Sequence, residues 1–131
     1  MFKEIEHVEI ITPDLEESIK FYTEIIGFEI INRKKIGIRG VSEIAHLSLN
    51  NSRLELIEMK EAAPVIEQPH IGYRMMALLV DAMGVAIQHL KDNGVKIVRE
   101  PISMSEEDRG GFRGVFQDNN GVSIEIRQLG K

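Results

Sequence analysis

Residues 5–28 run Ile5-Glu6-His7-Val8-Glu9-Ile10-Ile11-Thr12-Pro13-Asp14-Leu15-Glu16-Glu17-Ser18-Ile19-Lys20-Phe21-Tyr22-Thr23-Glu24-Ile25-Ile26-Gly27-Phe28, and the period of their apolar positions changes midway. Residues 5–11 alternate, as a strand does when one of its faces is covered. Proline early in the next segment, with Asp14 followed three residues later by Glu17, marks a helix start resembling a capping box. Leu15, Ile19, Tyr22 and Ile26 then recur at helical spacing. Gly27 stands where a left-handed C-terminal residue is wanted. Phe28-Glu29-Ile30-Ile31 resumes an extended pattern, and Glu43 to Leu49 and Arg53 to Met59 read as two further strands. The order is β-α-β-β-β.

The same order returns in the second half. Met75 to Val80 is a strand-like apolar run, and Asp81 opens a helix with Met83, Ile87 and Leu90 on one face, ended by Gly94. Val95-Lys96-Ile97-Val98 is extended, a polar loop spans Ser103 to Gly111, and Phe112 to Gln117 and Val122 to Arg127 are the last strands. Asp118-Asn119-Asn120-Gly121 is the turn between them. Leu54-Glu55-Leu56 and Ile124-Glu125-Ile126 are one apolar-Glu-apolar triplet repeated 70 residues on (55 to 125). The expected fold is therefore α+β: a single domain over 1–131, with one βαβββ module at about 1–60, a linker at about 61–72 and a second module at about 73–131. Each mixed sheet would carry a helix on one face, and the other faces would curve toward one another as a cleft.

Composition narrows the function. The chain has 131 residues, no cysteine, 43% hydrophobic and 28% charged residues, the balance of a globular protein able to fold without disulfides. Absence of cysteine excludes thiolate nucleophiles and cysteine-bound zinc or iron–sulfur centres. A net charge of −5 and aromatic content of 5% with no Trp argue against a nucleic-acid partner. Arg33-Lys34-Lys35, the nearest approach to a basic patch, reads as a solvated loop. No apolar run reaches membrane-span length. The first residues lack the regions of a signal peptide, so a cytoplasmic location is the default expectation.

Strand alternation assigns faces. Val8, Ile10, Leu54, Leu56, Met76, Leu78, Val80, Ile124 and Ile126 go to the helix side. His7, Glu55 and Glu125 fall at matching positions on the opposite, concave side. Carboxylates among aliphatic neighbours are costly to bury alone, and a divalent cation or a substrate donor would offset that cost. Imidazole with carboxylate suits Mn, Fe, Co, Ni or Zn. Arg53 and Arg127 share the concave parity; each could pair with a substrate carboxylate or phosphate, or with Glu55 or Glu125 across the sheet. His46 reads as a polar residue of a half-wet sheet that could line the same cleft, His70 as a solvated linker residue and His89 as surface.

The run His7-Val8 with Pro13-Asp14-Leu15-Glu16-Glu17-Ser18-Ile19-Lys20-Phe21-Tyr22 and Ile26-Gly27-Phe28 resembles the opening of the vicinal oxygen chelate superfamily. That group includes glyoxalase I, methylmalonyl-CoA epimerase, extradiol dioxygenases and bleomycin or fosfomycin resistance proteins. Leu54-Glu55-Leu56 is similar to its metal-Glu motif, and residues 118–126, Asp-Asn-Asn-Gly-Val-Ser-Ile-Glu-Ile, to its closing motif. The resemblance implies a half-open, barrel-like cleft, a divalent metal held by His7, Glu55 and Glu125, and pairing of two chains as a homodimer. It places Met75 where glyoxalase-like members commonly carry a fourth ligand, His. A thioether is a poor partner for two carboxylates, so the metal would keep three ligands or be absent.

A metal with open positions would chelate two neighbouring substrate oxygens and stabilise an enolate or oxyanion, with Glu55 or Glu125 as ligand and proton carrier. The expected function is thus a glyoxalase-like, metal-dependent lyase or isomerase acting on a small molecule. The competing class is a metal-free binding protein of the resistance type, with Met75, Met76, Ile57, Ala77 and Leu79 as apolar walls.

Overall fold

A computed structural model describes all 131 residues, which divide into two compact units, Met1–Pro64 and Val65–Lys131. In the first, the elements run β1 (Val8–Thr12), α1 (Leu15–Lys20) continued by a π-helical turn (Phe21–Ile26), β2 (Glu29–Ile38), β3 (Val41–Leu49) and β4 (Ser52–Glu58). In the second they run β5 (Met76–Leu79), α2 (Met83–Asp92), β6 (Ile97–Ser103), a 3₁₀ turn (Glu106–Asp108), β7 (Phe112–Gln117) and β8 (Ser123–Gln128). The strand orders β1-β4-β3-β2 and β5-β8-β7-β6 are the same order written twice, and neither sheet closes into a barrel. In both units the first strand pairs parallel to the last, and the other pairs are antiparallel. These are the two βαβββ modules of an α+β chain that the repeat predicts.

Alternation sorts each sheet as expected. In the first unit Ile10, Ala45, Leu47, Leu54 and Leu56 are buried together with Leu15 and Ile19 of α1 and Tyr22 of the π turn. Tyr22 stacks edge-on with Phe21 and Phe28 at ring separations of 5.3 and 6.0 Å. In the second, Phe116, Ile124 and Ile126 are buried with Met83, Ile87 and Leu90 of α2. Burying each such side chain contributes about 1.5–3 kcal/mol.

The ends of α1 follow the sequence closely. Asp14 is the N-cap, its carboxylate accepting the Glu17 N–H at 3.2 Å, and Pro13 lies just before the cap rather than inside the helix. Gly27 ends the π turn at φ 107°, a conformation that costs a side-chain-bearing residue strain. Asp81 does not cap α2. The N-cap is Ala82, and the Met83 N–H goes instead to Oε1 of Gln128 at 2.6 Å, at the end of β8. Glu58, at the end of β4, does the same for Leu15 at 2.8 Å. Glu58 and Gln128 keep the 70-residue spacing of the Glu triplets.

The largest departure is β2. Arg33-Lys34-Lys35 lies inside a ten-residue edge strand, not a loop. An edge strand with an open face accepts charge without loss. Arg33 reaches Glu43 on β3, Nε to Oε2 at 2.8 Å, and also Glu16 on α1. That guanidinium holds the Glu43 carboxyl below its usual pKa.

Candidate metal centre

β1 and β4 run side by side with Val8 opposite Leu54, Glu9 opposite Glu55 and Ile10 opposite Leu56. The apolar pairs go to the helix, and the acids take the other face. His7 immediately precedes β1 on the parity of Glu9. Its Nε2 stands 2.9 Å from Oε2 of Glu9 and 3.2 Å from Oε2 of Glu55, and its Nδ1 is 2.7 Å from Oε2 of Glu6. His46 on β3 sits opposite Glu55 in the antiparallel pairing, its Nδ1 3.7 Å from the same carboxylate oxygen. The Glu55 side chain is 18% exposed. The first unit therefore gathers two imidazoles around one largely buried carboxylate.

The electrostatics of this cluster favour positive charge. Hydrogen bonds to Glu9, then to Glu6, raise the His7 pKa from 6.5 to about 9, against the opposing effect of burial. At neutral pH the uncomplexed imidazole is a cation between carboxylates. A metal ion would take over that charge and displace the proton from the ring. The spacing suits the exchange: Glu6, His7 and Glu55 each offer a ligand atom, all within 4.8 Å of one another. Ligands bound at about 2.1 Å around a common ion stand no farther apart than that. His7 can also turn one nitrogen to a metal while a carboxylate holds the other, the usual means of orienting a ligating imidazole.

The second unit repeats the backbone and changes the side chains. Ala77 stands opposite Glu125 as Glu9 stands opposite Glu55, and Val115 faces Glu125 where His46 faces Glu55. Met75 immediately precedes β5 as His7 precedes β1. Only the glutamate is retained. Glu125 accepts from Nε of Arg113, its diagonal neighbour on β7, at 2.6 Å, and each of those side chains is 19% exposed. Alternation along β7 sets Arg113 on this face, so the residue was readable from the pattern, yet it is absent from the sequence-derived site.

The remaining expected site residues separate. Arg127 is 6% exposed, and its NH1 donates to the carbonyls of Gly110 and Phe112 at 3.0 Å each and of Gln128 at 3.3 Å, while NH2 donates to the Asp108 carbonyl. It fastens the 104–111 loop and forms neither of the expected acid pairs. Arg53 is exposed in β4, on the face of Glu55, and makes no ion pair with it. His70 contacts Gln68 and the Ile71 carbonyl within its own loop, and His89 is exposed on α2. No helix is long and apolar enough to cross a membrane.

Comparison with known proteins agrees with this architecture. Residues 4–126 match the family described as Glyoxalase/Bleomycin resistance protein/Dioxygenase superfamily. The mitochondrial methylmalonyl-CoA epimerase of Bos taurus is 27% identical over a 135-residue alignment covering 95% of this chain and 73% of that protein. The uncharacterized protein YwkD of Bacillus subtilis is 33% identical over 104 residues, covering 78% of this chain and 79% of its own length. Among solved structures, a glyoxalase family protein from Enterococcus faecalis superimposes with a TM-score of 0.83 at 23% identity, covering 95% of this chain and 97% of that one.

Proposed function

Because this chain belongs to the glyoxalase/bleomycin resistance protein/dioxygenase superfamily, we propose that it is a divalent-metal-dependent enzyme of the lyase or isomerase type, acting on a small molecule with two adjacent oxygens. Isomerisation is the better supported of the two, since the matching relatives include methylmalonyl-CoA epimerases. The observation that carries the proposal is the contact of His7 with Glu55, 3.2 Å apart, beside Glu6 and Glu9.

His7 and Glu55 are the proposed metal ligands of the first unit. A bound divalent ion supplies Lewis acidity toward the substrate oxygens. Glu6 orients the His7 ring through Nδ1. Glu9 and Glu55 compensate positive charge at Nε2. Glu125, the glutamate retained in the second unit, is proposed as a catalytic carboxylate, and Arg113 fixes its orientation. Manganese, cobalt, nickel, zinc and iron all accept this donor set.

The test uses chelator-treated protein. Adding Mn, Co, Ni or Zn should raise its melting temperature. The Mn-loaded chain should exchange the α-proton of methylmalonyl-CoA for solvent deuterium, followed by NMR. Glu55→Gln should abolish both effects. If no metal is retained and none stabilises, the metal-free binding reading takes over. It has its own support in Met75, Ala77 and Val115, the apolar residues that stand in the second unit where the first has His7, Glu9 and His46.

A further inference from the structure

Arg113 uses one of its five N–H donors. Nε is held by Glu125 at 2.6 Å, and no other side chain or carbonyl accepts from the guanidinium. No buried side-chain nitrogen or oxygen lacks a hydrogen-bond partner, so the two terminal amino groups reach solvent while the side chain as a whole stays four-fifths covered. Glu125 thus fixes the plane of the guanidinium and leaves its terminal edge open. That edge presents parallel donors in a planar fork, matched in shape to a carboxylate.

The surroundings favour an anion. Arg113 pairs in register with Arg127 on β8, whose charge is surrounded only by neutral carbonyls. Glu125 thus offsets one of two neighbouring arginine charges on β7 and β8, an excess of positive charge in a chain whose net charge is −5. The acidic side chains of the 106–108 turn form no ion pair with either arginine. Val115 and Ala77, beside Glu125 on the neighbouring strands, bring no competing donor or charge. The corresponding face of the first unit has the opposite balance, with Glu6, Glu9 and Glu55 around His7.

We propose that Arg113 is an anion subsite that binds the carboxylate of a small organic acid, and this binding does not rest on the function proposed above.

The probe is malonate, titrated calorimetrically into the metal-free full chain. Wild-type protein should bind malonate at least about tenfold more tightly than sulfate, because the fork selects planar carboxylate geometry over charge alone. Arg113→Gln should weaken malonate by about tenfold or more. Arg113→Lys keeps the charge and its attraction to Glu125 but lacks the fork, and should also lose most of the affinity. That variant carries the test should Arg113→Gln fold poorly. Absence of malonate binding, equal affinity for sulfate, or unchanged affinity in both variants would overturn the subsite. Normal manganese uptake alongside such a failure leaves the proposed function standing; malonate binding without manganese uptake sinks that function and not the subsite.

Discussion

β4 and β8 carry the same apolar-Glu-apolar triplet in the same register, yet their two glutamates keep different company. Glu55 is met by His7 and His46, with Glu9 on the neighbouring strand. Glu125 is met by Arg113, with Ala77 and Val115 opposite. The first setting attracts cations, and the second has its carboxylate already neutralised. A duplicated backbone has thus been given two chemistries: Met75, Ala77, Val115 and Arg113 stand where the first unit has His7, Glu9, His46 and Ile44. The lesson is that internal symmetry predicts where functional side chains stand, while their roles depend on cross-strand neighbours.

The comparison can be broken or sharpened by mutation. The largest effect should come from the loop that only the second unit possesses. Gly111 has φ 69°, and a β-carbon there would lie 1.9 Å from the Gln128 carbonyl oxygen. Gly111→Ala should cost about 3 kcal/mol or more. Gly27→Ala, at φ 107° with nothing within 4 Å, should cost about 1 kcal/mol from backbone strain alone. Urea denaturation of both variants reads the difference, and equal costs would show that the loop closure adds nothing.

Next in size is metal affinity. Glu55→Gln should weaken manganese binding by at least about 100-fold, since even the loss of an outer partner costs 10–100-fold. Glu125→Gln, at a carboxylate already paired with Arg113, should cost about tenfold or less in the same titration. Equal losses of affinity would contradict the contrast between the two glutamates drawn above.

Helix capping gives a smaller contrast. Asp14→Ala removes a side-chain cap and should cost about 1 kcal/mol. Ala82→Asp adds one to α2, where φ −136° and ψ 103° already suit an N-cap, and should stabilise by about 0.5–1 kcal/mol in thermal melts. The smallest effect is pH-dependent. Arg33 lowers the Glu43 pKa, so this pair stabilises the fold above the usual carboxylate range and stops doing so as pH falls through the lowered value. The melting-temperature difference between wild type and Glu43→Gln should therefore be present at pH 7 and be lost as the pH falls below the usual carboxylate range.

Much of the fold was readable because both modules obey simple periods: alternation in β1, β4 and β8, helical spacing in Leu15, Ile19 and Tyr22, and left-handed glycine after α1. What escaped depended on partners distant in sequence. Three consecutive basic residues looked like a loop because composition does not reveal that Arg33 reaches Glu43 and Glu16. Asp81 looked like a cap because the Gln128 amide, 45 residues from Met83, cannot be anticipated from local pattern. In the candidate site, alternation correctly put Glu55 on the face away from α1, and His46 belongs beside it. Arg127 also has the expected parity. Alternation cannot tell an open face from one over which a loop folds, and the 104–111 segment takes up that guanidinium. Arg113 was missed for the converse reason: its role emerges only when β7 is laid diagonally against β8.

The reach of Glu58 and Gln128 back to Leu15 and Met83 has a dynamic consequence. First-turn amides of a helix ordinarily trade their protons with solvent almost at once, for want of an internal acceptor. Here those two amides are tied to the strands that carry Glu55 and Glu125. Their deuterium uptake should track the opening of β4 and β8, which makes each helix start a reporter of the strand bearing its module's key acid.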